Sequence, residues 1–359
     1  MQCCSRSDLR FRGWCSVEIE PFTVRLQPPL ETARGTLRER KGFLVTVDYQ
    51  ETTGVGEATP LAGWTESYEE CRDALGQAER VASELDWGVA LAKLDAPAAR
   101  HGLSLALADA LARARERPLY QYLGEDADED TIVTDVPVNA TIGTHETPEE
   151  TVSKARETVE AGYECLKLKV GTRRLEEDIE RVRAVRNAVG DEVQLRVDVN
   201  GAWTVEQAKQ GIEWLAALDV WYVEQPLATA DLEATASLRG RGIDIALDES
   251  LAAHDVTTII ETDAADVLVL KPMVVGGPDI AATAAQQCRE AGIEPVVSTT
   301  FDAVVARTAA VHVAASIPNV LPCGLAPGER MATDIAPDPA PITEGWIHVP
   351  QEPGIGVGE

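Results

Sequence analysis

The chain has 359 residues, which is long for one ordinary domain but suits a barrel joined to a smaller domain. Hydrophobic residues make up 45% and charged residues 26%, so the chain can bury a sizeable core without any sign of disorder. The formal net charge of −28 repels nucleic acid and anionic membrane surfaces, and we exclude both as partners. The acidic residues are dispersed and lysine is rare, a pattern typical of halophilic proteins that stay soluble in concentrated salt.

The cysteines and the N-terminal sequence indicate the cellular compartment in which the protein is expected. Seven cysteines without any C-x-x-C pair favour reduced thiols in a cytoplasmic protein over a disulfide framework or a zinc site. The first sixteen residues, MQCCSRSDLRFRGWCS, are basic and contain no apolar segment of signal-peptide length. We interpret residues 1–16 as an extension, either disordered or produced by an over-long start site. No segment of the sequence is long and apolar enough to span a bilayer.

Residues 17–130 are predicted to form an α+β domain. The alternating runs SVEIEPFTVRL and GFLVTVDYQ predict two strands, joined by the Pro-rich, charged loop PPLETARGTLRERK. A second loop, GEATPLAGWTES, precedes residues 68–123, where apolar residues recur every three or four positions and predict helices. Strands followed by helices favour an α+β unit. The acidic run EDADEDT at 125–131 predicts a solvated connector.

Residues 131–325 follow a different pattern, in which short β-rich runs alternate with helical stretches. The runs are VPVNATI, ECLKLKV, VQLRVDVN, VWYVEQP, DIALDE, DVLVLKP, EPVVSTT and NVLPCGL. Strands separated by helices pair in parallel, and about eight such units predict a closed (β/α) barrel. A doubly wound open sheet is the alternative, but no Gly-rich first turn supports it. Residues 326–359 are predicted to pack back on the N-terminal domain.

Charged residues stand at or near the C-terminal ends of five successive predicted strands, at intervals of 23 to 29 residues: Lys169, Asp198, Glu224, Asp248 and Lys271. In a barrel these strand ends meet at one rim, where barrel enzymes carry out their chemistry. Side chains two apart on a strand face the same way. Lys167 is therefore predicted to face the cavity with Lys169, and Arg196 and Asn200 are predicted to face it with Asp198.

Three carboxylates on adjacent strand ends repel one another unless a cation lies between them. Because the donors are oxygens without a His or Cys cluster, we predict Mg²⁺ bound by Asp198, Glu224 and Asp248, with Mn²⁺ as a substitute. The flanking lysines suit removal of a proton next to a carboxylate, because nearby positive charge lowers a lysine pKa toward the range of a base. A single strand lysine is more often a solvated edge residue, and Asp248 alone resembles a helix cap; the joint pattern supports the site.

Five short motifs in this order resemble the enolase superfamily, in particular its muconate-lactonizing-enzyme-like subgroup. They are the K-x-K of Lys167–Lys169, the DVN of Asp198–Asn200, the EQP of Glu224–Pro226, the DES of Asp248–Ser250 and the KP of Lys271–Pro272. The resemblance covers nearly the whole chain. It implies a modified TIM-type (β/α) barrel with an α+β capping domain built mainly from the N-terminal part of the chain.

The same resemblance implies roles for individual residues. Lys169 and Lys271 would face each other across the substrate as the catalytic pair, with Lys167 holding the substrate carboxylate, beside Mg²⁺ on the three acids. The loops around PPLETARGT and ATPLAGWTES match the capping loops that close over the substrate. The expected partner is a small-molecule carboxylate, and a homo-oligomer is left open. Further supporting or substrate-binding residues are Asn200, Arg196, Glu249, Ser298 and Thr299.

Within the subgroup, the stretches VVSTTFDAVVARTAAVHVAAS and LPCGLAPGERMATDI resemble the o-succinylbenzoate synthases of menaquinone biosynthesis. This resemblance implies syn loss of water from 2-succinyl-6-hydroxy-2,4-cyclohexadiene-1-carboxylate, with Lys169 as base and Lys271 as a cationic stabiliser. Thr299, Thr300 and Asp302 replace some residues of that family's Ser-rich version. N-Succinylamino-acid racemase, dipeptide epimerase and muconate cycloisomerase are alternatives, although CGLAPG lacks the Asp-x-Asp usual in dipeptide epimerases. A non-catalytic barrel that binds a metal or metabolite is the rival outside the enzymes.

Overall fold

The N-terminal part of the fold is an antiparallel sheet covered by helices. The structure is a computed structural model that describes residues 16–32, 35–124, 133–143, 147–325 and 328–358. Residues 1–15 of the expected extension and the acidic run at 125–131 lie outside the described residues. The sheet consists, in spatial order, of β1 (Val17–Thr32), β2 (Gly35–Tyr49) and β3 (Thr52–Ala58).

The prediction of a loop at PPLETARGTLRERK is wrong, because β1 and β2 both continue into this stretch. After an irregularity in register, pairing resumes where Leu30 lies opposite Leu37 and continues to Thr32 opposite Gly35. β1 is an edge strand of the sheet, so Pro28 and Pro29, which have no N–H to donate, are tolerated there. The result is one long hairpin instead of two short strands.

Four helices complete the capping domain: α1 (Tyr68–Glu84), α2 (Trp87–Ala92), α3 (Pro97–Ala114) and α4 (Leu119–Leu123). Helix α1 begins at a capping box formed by Ser67 and Glu70. Helix α3 packs so closely on β3 that a Cβ atom at Gly54 or Gly56 would clash with the helix backbone, which explains glycine at both positions. None of the described helices combines the length and apolar character needed to cross a bilayer.

The second part of the fold is a parallel sheet whose seven strands follow chain order from β5 to β11. A short strand, β4 (Asp135–Pro137), precedes it. The strands are β5 (Ala140–Ile142), β6 (Cys165–Lys169), β7 (Gln194–Asp198), β8 (Val220–Glu224), β9 (Asp244–Leu247), β10 (Val267–Leu270) and β11 (Glu294–Val297). The helices are α5 (Pro148–Glu160), α6 (Leu175–Val189), α7 (Val205–Ala216), α8 (Leu232–Ala236), α9 (Val256–Glu261), α10 (Pro272–Val275), α11 (Pro278–Glu290) and α12 (Val304–Ala315).

An eighth parallel segment closes the sheet into a barrel. Cys323 bridges to Val138 before β5, and Gly324 bridges to Ser298 after β11. Backbone hydrogen bonds of 3.0 Å from Asn139 N to Cys323 O and of 2.8 Å from Gly324 N to Val297 O accompany these bridges. The run NVLPCGL thus takes the place of the eighth strand, and the prediction of a (β/α) barrel with an α+β capping domain is confirmed.

The C-terminal segment contacts both parts of the fold. Its strands β12 (Ile342–Thr343) and β13 (Trp346–His348) form a small antiparallel sheet with β4 at the start of the barrel. Met331 bridges to Leu26 of β1, and Leu119 N of α4 donates to Gly354 O at 2.7 Å. The segment therefore ties the capping sheet, α4 and the barrel together.

His312 of α12 lies where the barrel, α4 and the C-terminal segment meet. The side chain is fully buried, with Tyr120 N donating to Nδ1 at 3.3 Å and Nε2 donating to Ile355 O at 3.1 Å. This pairing uses the neutral ring, and burial lowers the pKa of His312 to about 4. Protonation would place an unmatched charge in this junction.

We expect His312 to make the fold sensitive to acid. Because its pKa is lower in the folded than in the unfolded chain, its contribution is complete above about pH 6.5 and is lost as pH falls toward about 4. Over that interval the unfolding free energy of the wild type should fall about 3 kcal/mol further than that of His312→Gln. Denaturant unfolding at a series of pH values measures this, with the exposed His348→Gln as control; parallel curves for wild type and His312→Gln would contradict it.

Candidate active site

Strand β6 places two lysines inside the barrel because its side chains alternate between two faces. Leu166 and Leu168 are fully buried in the layer between strands and helices. Lys167 and Lys169 point the other way and meet carboxylates from the neighbouring strands. An apolar strand thus carries two lysines because only one of its faces is apolar.

The parallel register aligns the charged residues at one end of the barrel. Lys169 pairs with Asp198 across β6 and β7, and Asp198 pairs with Glu224 across β7 and β8. Asp248 directly follows β9 and Lys271 directly follows β10. Because parallel strands end at a common rim, the three acids form a row with a lysine at each end.

Each of the three lysines donates to a carboxylate of this row. Lys167 Nζ lies 2.9 Å from Glu224 Oε1 and 3.5 Å from Asp198 Oδ2, and so bridges the two acids. Lys169 Nζ donates to Asp198 Oδ2 at 2.6 Å. Lys271 Nζ donates to Asp248 Oδ2 at 2.7 Å. The acids are nearly inaccessible to solvent, with exposed fractions of 0%, 0% and 5% for Asp198, Glu224 and Asp248.

The pKa values of the site reflect a balance between burial and the neighbouring charges. Burial raises the pKa of Glu224 to about 8, and the neighbouring Asp198 adds to this rise against the opposing Lys167. Burial pushes the pKa of Asp198 upward, but Lys169 and Lys167 outweigh it and hold that pKa below its usual range. Burial likewise opposes the charge of Lys169, yet Asp198 and Glu224 together outweigh it and raise the pKa of Lys169. The lowered lysine pKa predicted from the sequence therefore requires another cation on the carboxylates.

Asn200 and Glu249 extend the row. Asn200 Oδ1 accepts from Lys169 Nζ at 2.9 Å, and Asn200 Nδ2 donates to Glu249 Oε1 at 2.7 Å. Two carboxylate oxygens of the site, Asp248 Oδ1 and Glu249 Oε2, are buried and have no hydrogen-bond partner among the described residues. Unpaired buried oxygens are costly, so both are candidates to receive a cation or a donor.

Ser298 and Thr299 follow β11 at the same rim and are almost buried, with exposed fractions of 8% and 7%. Ser298 Oγ donates to Gly324 O at 2.9 Å, and Thr299 N donates to the same oxygen at 3.2 Å. Ser298 N donates to Leu270 O, next to Lys271, at 2.9 Å. The structure brings both residues to the site, where they also help to close the barrel.

Arg196 packs inside the barrel, and its expected supporting or substrate-binding role stays a prediction. It is fully buried and its guanidinium packs on the rings of Trp221 and Tyr222, at 4.7 and 4.9 Å from their centroids. It donates to Pro322 O at 2.6 Å and to the side chain of Gln194, at the start of β7. Arg196 shares a face of β7 with Asp198. Its guanidinium, however, binds Gln194 at the start of the strand, whereas Asp198 stands at the strand's end.

Trp64, in the loop GEATPLAGWTES, is a further residue at the site. The structure places its half-buried ring over Lys271, with Nζ 3.6 Å from the ring centroid. An ammonium group over an indole face is a favourable contact. In the sequence, only the position of Trp64 in a loop of the capping domain pointed to the site. Its contact with Lys271 joins this loop to the barrel.

The donor set fits a hard divalent cation. All the candidate ligands are carboxylate oxygens on three adjacent strand ends, and Asp248 Oδ1 is without a partner among the described residues. In the described ranges, no three His, Cys, Asp or Glu side chains are already grouped as a metal site, and the lysine ammonium groups lie against the acids instead. A cation held by both Asp198 and Glu224 would replace the ammonium group of Lys167 between them.

The fold and this site agree with the comparisons with known proteins. The family described as Enolase C-terminal domain-like matches residues 150–358, and the family described as MenC, N-terminal domain, matches residues 18–110. The chain therefore belongs to the Enolase C-terminal domain-like family, in the enolase superfamily, and the resemblance seen in the sequence is confirmed.

Individual relatives within the superfamily differ in activity. The hydrophobic dipeptide epimerase of Enterococcus faecalis is 31% identical, over 96% of this chain and 96% of the relative. The o-succinylbenzoate synthase of Thermobifida fusca is 39% identical, over 60% of this chain and 66% of the relative. A similar solved structure is the Enterococcus faecalis V583 dipeptide epimerase complexed with Mg and dipeptide L-Leu-L-Tyr, with a TM-score of 0.84 and 28% identity over 96% of this chain and 99% of that one.

We expect Mg²⁺ to stabilise the folded protein through the carboxylate row. At a hundredfold excess over its dissociation constant, a ligand that binds only the folded state adds about 2.7 kcal/mol, or about 4 °C in Tm. Asp248→Asn keeps an acceptor for Lys271 but removes the negative charge, and should abolish the shift. Thermal unfolding in molar KCl with and without Mg²⁺ tests this, with the exposed Asp191→Asn as control. An undiminished Mg²⁺ shift in Asp248→Asn would contradict the site.

Proposed function

We propose that this chain is an o-succinylbenzoate synthase, a dehydratase that converts 2-succinyl-6-hydroxy-2,4-cyclohexadiene-1-carboxylate to o-succinylbenzoate in menaquinone biosynthesis. The two lysines at the ends of the acid row supply the groups that the reaction needs. Lys169 removes the proton next to the carboxylate of the ring. The C–O bond to the hydroxyl group then breaks, and the same lysine returns the proton to that oxygen, which leaves as water.

The remaining charged groups hold the substrate in place. Lys167 binds the substrate carboxylate, and Lys271 stabilises the developing negative charge as a cation. Asp198, Glu224 and Asp248 would hold Mg²⁺, which when bound supplies electrostatic stabilisation of the substrate carboxylate as the proton leaves. Asn200 keeps Lys169 oriented through its 2.9 Å hydrogen bond, and Glu249 in turn accepts from Asn200.

The observation that favours this substrate over a dipeptide lies at the eighth barrel segment. A dipeptide brings an ammonium group, which requires a carboxylate partner when it leaves water. From Leu321 to Gly328 the sequence contains neither Asp nor Glu. Cys323 and Leu325 are buried, and a Cβ atom on Gly324 would lie 2.8 Å from Ser298 Oγ. This side of the site therefore suits an uncharged group.

Two of the comparisons support the same proposal. The capping domain matches the MenC N-terminal domain family over residues 18–110, and this domain contacts Lys271 through Trp64. The highest identity among the relatives named above is to an o-succinylbenzoate synthase, although over a shorter stretch than the epimerase.

Racemisation or epimerisation of an acylated amino acid is the second candidate, and the pair of lysines favours it. Such a reaction needs a base on each face of the α-carbon, and Lys169 and Lys271 stand at opposite ends of the acid row. The nearly full-length similarity to a dipeptide epimerase also supports it.

Dehydration of the cyclohexadiene should be measurable directly as loss of diene absorbance. We expect turnover by the purified protein in molar KCl with Mg²⁺, and its loss on chelation. Lys169→Ala should lower kcat by about 10³-fold, because general acid–base catalysis contributes on that scale. The exposed Lys154→Ala, which removes a lysine far from the row, is the matched control. Absence of turnover by a folded, Mg²⁺-loaded protein would reject the assignment.

Lys271→Arg separates the two candidate reactions. Arginine keeps the positive charge but is too weak an acid to act as a proton-transfer group. The variant should retain dehydration within about tenfold, while exchange of the α-proton of an N-succinylamino acid with deuterium should lose one enantiomer. Loss of both activities to the same extent would show that Lys271 acts as a base in the dehydration and would contradict its role as a cationic stabiliser.

A further inference from the structure

Helix α12 takes part of its N-terminal cap from the capping domain, while Asp334 accepts from Val304 N at 3.0 Å. Its own N-cap residue, Ala303, has no side chain that can accept a hydrogen bond. Instead, Glu57 at the end of β3, 246 residues earlier in the chain, accepts from Ala303 N and Ala306 N at 2.8 Å each. The first N–H groups of a helix need external acceptors, and an anion is favourable there. A single fully buried glutamate thus joins the two domains.

Arg40 forms a second buried link between the same two domains. Its exposed fraction is 2%, and it donates to Thr59 O at 2.7 Å and to Pro60 O at 3.1 Å, both in the capping domain. Its Nε donates to Phe301 O in the barrel at 3.2 Å. Phe301 has a φ of +60°, which a residue with a bulky side chain rarely adopts without support from its surroundings.

The two links meet around Asp302. This buried carboxylate accepts from Thr300 N at 3.0 Å and lies 3.9 Å from Arg40 Nη2. Thr59 donates to Glu57, and His101 Nδ1 lies 2.8 Å from Glu57 O. Burial and the nearby Asp302 raise the pKa of Glu57 to about 7. The network is therefore a compact cluster of charges that depends on both domains being in place.

This cluster holds the base of two loops that flank Lys271. We call residues 59–67 the capping loop and residues 298–303 the seventh loop. The capping loop begins at Thr59 and Pro60, which Arg40 binds, and it places Trp64 over Lys271. The seventh loop begins at Ser298, whose N–H binds the carbonyl next to Lys271, and ends at the helix N-terminus bound by Glu57.

We propose that Arg40 and Glu57 are positioning residues that fix the capping loop and the seventh loop in one arrangement around Lys271. They influence substrate binding by holding these two loops. The hydrogen bonds described above for Arg40 and Glu57 go to the loops and to the start of α12, not to the carboxylate row. Only the identity of the substrate in the kinetic test rests on the function proposed above. The loop arrangement itself is independent of it.

Glu57→Gln tests the proposal on the full chain. The amide keeps the shape but turns one acceptor oxygen into a donor that faces a backbone N–H. Hydrogen exchange of the amides of Ala303 and Ala306 should become at least about tenfold faster, while β6 to β8 remain unchanged. In the diene assay KM should rise about tenfold, with kcat within about threefold of wild type. Glu79→Gln, at an exposed capping-domain position, is the matched control and should change neither.

Each outcome decides the matter. Unchanged exchange at the helix start, or faster exchange throughout the chain with KM unaltered, would overturn the proposal in favour of a purely structural role. If Glu57→Gln does not fold, Arg40→Lys, which keeps the charge but not the three-carbonyl reach, must show the same rise in KM or the proposal falls. If the wild type does not turn over the diene, the proposed function fails, and the exchange result alone supports or rejects this inference.

Discussion

The parallel register of strands β6 to β8 is the constraint on which the site depends. It sets Lys169, Asp198 and Glu224 side by side, and a slip of one residue would turn each of them out of the barrel. Register is enforced from the other face, where Leu166, Leu168 and the neighbouring valines and isoleucines pack against helices. Burial of the apolar face therefore fixes the position of the charged one, and the chemistry of the site follows from the packing of the helical layer.

Charge burial is the second constraint. Acids with exposed fractions near zero are tolerable only if cations match them, and the barrel supplies three lysines on the strands to either side. The same row of acids is the set of ligands that we expect for a divalent ion, and the ammonium group of Lys167 lies between two of them. A chain that otherwise has few lysines places three of its seven here.

The fold and the family match establish the superfamily, whereas the choice of substrate is a proposal that rests on two segments at the rim of the barrel. A dipeptide epimerase and an o-succinylbenzoate synthase are 31% and 39% identical to this chain, so overall similarity does not separate the two reactions. The substrate choice that we propose rests on the eighth segment, which lacks an acid, and on the capping loop with Trp64.

The sequence by itself determined the barrel, its eighth segment and the residues at the strand ends. Alternating strand patterns and regular βα spacing depend on residues close together in the chain and are therefore visible in the sequence. Tertiary structure alone decided three things. Only three-dimensional pairing extends β1 and β2 into one long antiparallel pair, and only tertiary packing sets the guanidinium of Arg196 against Trp221, Tyr222 and Pro322 O. The cap that Glu57 gives to α12 spans 246 residues. Contacts between residues so distant in the chain produce no periodic sequence pattern, because they depend on how the capping sheet and the barrel helix pack together.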